Sequence, residues 1–231
     1  MPIRKIQFVE GEIYHIYNRG VEKRNIFMEE KDYLRAIHDM YEFNDENPTD
    51  NLYYRSPSLT SYETRSRKVR KMIVEILAFA LMPNHYHFLL RPIHDKGISK
   101  FMHKFGLGYA MYFNKKYERS GTLFQGPFRA IHIEREAHFL HLPFYIHANP
   151  LDIKFPEWRD GRLKNYRAAM NYLETYRWSS FPDYIGKRNF PSVTSRGFLS
   201  SVFGSPKEYQ KTTFQLLKEM NLSEIEDVIL E

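Results

Sequence analysis

Apolar and polar positions recur with two periods along this chain, and each change of period marks a new element. Over residues 12–20, Ile13, His15 and Tyr17 alternate with Tyr14 and Ile16 until Asn18-Arg19-Gly20 ends the run, the pattern of a strand. Residues 30–44 place Tyr33, Leu34, Ile37, Met40 and Tyr41 at helical spacing. Residues 44–71 are polar, rich in Ser and Thr, and end in a basic cluster, which predicts a long loop inserted between elements. Two β-rich runs follow, 72–81 and 85–91, separated by Met82-Pro83-Asn84 as in a hairpin. Intervals of three and four among Ile98, Phe101, Met102, Phe105, Tyr109, Tyr112 and Phe113 predict an amphipathic helix despite Gly106 and Gly108. A strand is expected over 126–134, then helices from 135 to about 148, over 163–175 and over 206–220.

The order is strand, helix, two strands, helix, strand, then helices. Packing two helices on one face of a mainly antiparallel sheet satisfies that order, so the expected fold is α+β. It is a ferredoxin-like antiparallel sheet with helices on one face, plus a C-terminal helical extension. The expected division is a domain over 1–155, with 44–71 as its loop insertion, and a helical extension over 156–231.

Composition narrows the function classes. With no cysteine, disulfides and thiolate metal sites are excluded. No apolar run reaches the roughly 18–20 residues that span a bilayer, and the N-terminus lacks the apolar core of a signal peptide, so a soluble cytoplasmic protein with no membrane partner is expected. The net charge of +6, with 17 Tyr and 18 Phe, fits both a packed core and a surface that stacks on bases while neutralising phosphates.

The run "LMPNHYHFLL" puts two histidines in a strand that should bury apolar side chains. Residues two apart on a strand share a face, so His85 and His87 project side by side while Tyr86 faces away. Two imidazoles so placed either close on one divalent ion or are simply hydrogen-bonded. In "FYIHANP", Tyr145 and Asn149 are four apart, on one face of a helix. They bring a hydroxyl and an amide oxygen to one place; alternatively, Tyr145 is core and Asn149 a helix end. His15, His132 and His147 read as structural or surface histidines, and Trp178 as a core anchor.

The segments "LMPNHYHFLL", "GTLFQGPFRA", "YIHANPLD" and "YRWSSFPDYIG", in this order, resemble the single-tyrosine HUH transposases, in particular the REP-associated tyrosine transposases. The resemblance extends from about Glu12 into the C-terminal helices. It implies a transposase that cleaves and rejoins single-stranded hairpin DNA through a 5′-phosphotyrosine. The nucleophile would be Tyr145, and the ligands of a divalent ion, Mg²⁺ or Mn²⁺, would be His85, His87 and Asn149. A homodimer is also implied. Phosphate contacts are expected from Arg19, from Arg65, Arg67, Lys68, Arg70 and Lys71, from Lys115, Lys116 and Arg119, and from Arg129. Pro143 departs from the family's unbroken helix: it either bends the helix or opens a short one. Other readings of the same residues are a domesticated DNA-binding protein without transposition, a replication initiator or relaxase, and a metal-dependent hydrolase of small phosphoesters.

Overall fold

In the computed structural model, residues 6–47 and 70–219 are described. Strand β1 (Tyr14–Arg19) leads to helix α1 (Glu30–Glu42), then to the hairpin of β2 (Val74–Met82) and β3 (His85–Pro92). Helix α2 (Gly97–Lys116) and strand β4 (Arg129–His132) complete the first half. The four strands run in the order β2-β3-β1-β4, and every neighbouring pair is antiparallel. With α1 and α2 on one face, this is the ferredoxin-like α+β arrangement expected from the element order.

Alternation along the strands sorts the side chains onto two faces. Tyr14, Ile16, Phe79, Leu81, Tyr86 and Phe88 pack with Ala36, Ile37 and Met40 of α1 and with Ile98, Phe101, Phe105 and Tyr109 of α2. The helices approach closely where Gly108 faces Phe43: a Cβ there would lie 2.6 Å from the Phe43 ring. Gly108 is therefore required by packing, whereas Gly106 has open space beside it.

The second face is covered by α3 (Glu136–Ala148), α4 (Tyr166–Thr175), α5 (Phe181–Tyr184), α6 (Gly197–Phe203) and α7 (Pro206–Glu219). Their apolar residues, including Leu142, Phe144, Ile146, Leu173, Phe181 and Tyr209, form one cluster with Leu77, Ala78, Ala80 and Leu89 of the sheet. Pro143 sits inside α3, which runs through it. The proline removes one backbone donor, but every residue from 142 to 148 is buried, so packing on all sides holds the helix. The segment "RWSSF" closes the edge of β2: Leu81 N–H donates to the Trp178 carbonyl (2.8 Å) and Ser180 N–H to the Phe79 carbonyl (3.0 Å). Trp178 stacks on Tyr33 at 4.6 Å, as an anchor at the rim of the core.

Most of the expected loop, 48–69, lies outside the described residues. Its flanks are fastened. Asn44 accepts from the backbone N–H groups of Ile73 and Val74, and Glu46 N–H donates to the Lys71 carbonyl. No helix among the described residues is long and apolar enough to cross a membrane.

Candidate active site

The register of the sheet builds the site. On β3, His85 lies opposite Arg19 of β1, and His87 opposite Tyr17; on β4, Arg129 lies opposite Tyr17 in turn. Paired residues of an antiparallel ladder share a face. His85, His87, Tyr17, Arg19 and Arg129 therefore stand on the face turned away from α1 and α2, and Tyr86 points the other way, onto Phe105. The rings of His85 and His87 are 5.0 Å apart, nearly perpendicular, and both are buried.

Each imidazole is held by its neighbours. His85 Nδ1 donates to Asn84 Oδ1 at 2.6 Å, because the hairpin turn puts Asn84 next to it. In the neutral ring that bond leaves the lone pair on Nε2. His87 Nδ1 and His15 Nε2 are 2.9 Å apart, one donating to the other. Burial, then the adjacent His15, Arg159 and Arg19, hold His87 well below the ordinary histidine range, so it is neutral at pH 7. Neutral imidazole is the form that binds a metal.

Helix α3 brings up the second half of the site. The Tyr145 ring stands edge-on to His87 at 6.0 Å and to His15 at 6.4 Å. Asn149, one turn later at the end of α3, donates through Nδ2 to the Tyr145 carbonyl at 2.8 Å. Both side chains are 0% exposed. What joins them is Arg159. Its guanidinium donates to the Tyr145 hydroxyl (3.2 Å), to Asn149 Oδ1 (3.0 Å) and, through two nitrogens, to Asp152 (2.8 and 2.6 Å). Trp158 Nε1 donates to the same carboxylate at 2.6 Å, and the Trp158 ring lies 6.1 Å from that of Tyr145.

Four expected residues, His85, His87, Tyr145 and Asn149, thus gather on one side of the sheet. As donors, two imidazoles and one amide oxygen fit a divalent ion such as Mn²⁺. Among the described residues no group of three or more His, Asp or Glu could hold a metal ion. Asn149 offers that oxygen to Arg159 in this structure.

The basic candidates separate by position. Arg19 is half-buried and Arg129 exposed on the site face, while Lys115 is exposed on α2. Lys116 is bound to Asp32 and to Glu29 (2.6 Å). Arg70 lies over the Tyr41 ring at 3.6 Å and donates to the Tyr41 carbonyl, and Arg119 donates to Asn114. Lys71 is exposed; Arg65, Arg67 and Lys68 lie outside the described residues. His147 is a structural histidine, bonded to Tyr209 and Ser180, and His132 lies between Glu12 and Glu134. Sequence reasoning missed His15, Arg159 and Asp152. His15 was legible as a same-face neighbour once β1 pairs with β3; no spacing announced the Arg159–Asp152 pair.

Residues 57–149 match the family model described as "Transposase IS200 like". A solved structure described as a REP-associated tyrosine transposase bound to a REP hairpin also aligns, with 12% identity and a TM-score of 0.48, over 84% of this chain and 92% of that one. No curated protein matches the chain. The matched segment is less than half of the chain, contains His85, His87, Tyr145 and Asn149, and agrees with the resemblance to single-tyrosine transposases read from the motifs.

Proposed function

We propose that this IS200-like chain is a metal-dependent DNA strand transferase acting on single-stranded hairpin DNA, with Tyr145 as its nucleophile. The observation that carries the reading is the meeting of the Tyr145 hydroxyl and the Asn149 amide oxygen on one cation, beside two same-face histidines. His85, His87 and Asn149 would hold Mg²⁺ or Mn²⁺, which when bound offsets the negative charge of the scissile phosphodiester.

In this reading the Tyr145 hydroxyl oxygen bonds to the scissile phosphorus and the bond to the 3′ oxygen breaks. The hydroxyl proton is released, the departing 3′ oxygen takes one up, and the DNA keeps a 5′-phosphotyrosine link to the protein. Attack by another 3′-hydroxyl reverses the step, so the phosphodiester energy is conserved and no nucleotide cofactor is needed. His15 serves as the partner of His87: when His87 Nδ1–H donates to His15 Nε2, the lone pair of His87 is on the opposite nitrogen, where a ligand must have it. Arg19 and Arg129, on the same face, are placed to meet phosphates of the bound strand.

The test is a denaturing gel after incubation of the protein with labelled hairpin DNA and Mn²⁺. The wild type yields a shifted protein–DNA band. Tyr145→Phe removes one hydroxyl, keeps the ring, and yields none while still binding the hairpin. A band from the Phe variant would assign the nucleophile elsewhere, and no adduct from either protein would favour the hydrolase or the DNA-binding reading.

A further inference from the structure

Arg159 lies ten residues beyond the segment that matches the family model, yet it makes the central contacts of the site. Its guanidinium reaches the proposed nucleophile and the proposed third ligand together, and Asp152 grips it from behind with both carboxylate oxygens. The guanidinium also lies over the Tyr145 ring at 5.6 Å and the Trp158 ring at 5.2 Å. A fixed positive charge is thus on the amide oxygen that the divalent ion needs.

Resting on the function proposed above, we infer that Arg159 is an internal cation that stands in for the divalent ion and gives way when the ion binds. The physical reason is direct. A guanidinium on Asn149 Oδ1 and a divalent ion on the same oxygen would be like charges within contact distance, which a buried site does not tolerate. The two states therefore exclude one another at Asn149. With Arg159 in place, the Asn149 oxygen and the Tyr145 hydroxyl, both buried, each have a hydrogen-bond partner. Tyr145 is fully buried in that state, beside Trp158 on the same short segment as Arg159. As the ion takes Asn149, Arg159 releases it and retains Asp152 as its anchor. Arg159 is then a positioning residue that couples ion binding to release of the tyrosine hydroxyl.

The experiment is a titration of the full-length protein with Mn²⁺ alone, followed by calorimetry or by the paramagnetic resonance signal of the unbound ion. Arg159→Gln keeps a polar side chain and removes the charge. Its Mn²⁺ affinity is expected to rise about tenfold, the scale of a typical coupling between two bound groups. A residue with only a structural role would weaken the site when lost, not tighten it. Unchanged or weaker Mn²⁺ binding by Arg159→Gln overturns the inference. Should that variant fail to fold, the wild-type crystal structure with Mn²⁺ decides. Asn149 on the ion with Arg159 withdrawn from it supports the inference, and Arg159 still bonded to Asn149 beside a bound ion overturns it. His87→Ala in the same titration separates the two ideas. If it binds Mn²⁺ like the wild type, the metal site itself is misassigned; if it loses Mn²⁺ while Arg159→Gln changes nothing, only the exclusion fails.

Discussion

His15 and His87 stand side by side on adjacent strands with ring centroids 5.1 Å apart and a hydrogen bond of 2.9 Å between their nitrogens. One histidine therefore decides the tautomer of the other. In the site proposed above His87 Nδ1–H donates to His15 Nε2, so replacing His15 by Ala removes the acceptor that holds that proton. Mn²⁺ affinity should fall about 10–100-fold, the usual cost of losing the group that orients a ligating histidine. His15→Gln, whose amide oxygen also accepts, should recover part of the loss. A titration with Mn²⁺ checks both; equal affinity in all three proteins would remove His15 from the site.

Lys115 and Lys116 are adjacent in sequence and differ in exposure: Lys115 is exposed on α2 and Lys116 is half-buried. Lys116 meets Asp32, a carboxylate with no exposed surface that Tyr112 and Tyr117 also bond. Lys116→Met should cost about 3 kcal/mol, because it leaves a buried charge short of its main partner. Lys115→Met should change stability by less than about 0.5 kcal/mol. Urea unfolding distinguishes them, and equal costs would refute the assignment.

Acid should expose the same contact. Burial pushes the Asp32 carboxyl up, but the bonds from Lys116, Tyr117, Met28 N–H and Tyr112 outweigh it and hold it below the ordinary range. The unfolded chain then takes up the proton first as pH falls, so this stabilisation is complete above about pH 4 and is lost as pH drops through the folded value. In Lys116→Met the folded carboxyl loses its main support. Its acid unfolding, followed by circular dichroism, should begin at a higher pH than that of the wild type.

Two glycines of α2 should respond oppositely to alanine. At Gly108 the added methyl meets the Phe43 ring, and overpacking of this kind costs about 1–3 kcal/mol. At Gly106 nothing lies within 4 Å, and the better helix former should stabilise by up to about 1 kcal/mol. Thermal unfolding of the two variants reads the difference in sign.

Hairpin binding should weaken steeply with salt if phosphates meet the site face. Arg129→Ala and Arg19→Ala should each reduce the slope of log affinity against log salt by about 1. Arg70→Ala, whose guanidinium is stacked on Tyr41, should leave the slope nearly unchanged. A flat response in the wild type would argue against phosphate contacts altogether.

Whereas the short helices α5 and α6 gave no periodic signal, the sequence by itself determined the order of the elements as far as α3, the ferredoxin-like core and the common face of His85 and His87. Each follows from local periodicity, because strand alternation assigns faces wherever a strand pairs. It also placed Tyr145 and Asn149 one helical turn apart. It could not say what lay between the helix and the sheet. His15 became part of the site only through the pairing of β1 with β3, a contact 72 residues apart along the chain. Arg159 reached Tyr145 only because the 3-10 turn Pro156–Asp160 brings it back to α3, where it also meets Asp152 of the preceding 3-10 turn Asn149–Ile153. The roles of Lys115 and Lys116 likewise separated only when α2 packed against the start of α1 and brought Asp32 to one lysine. Charge and spacing are properties of the chain, but the partner that claims a charged side chain is chosen by packing.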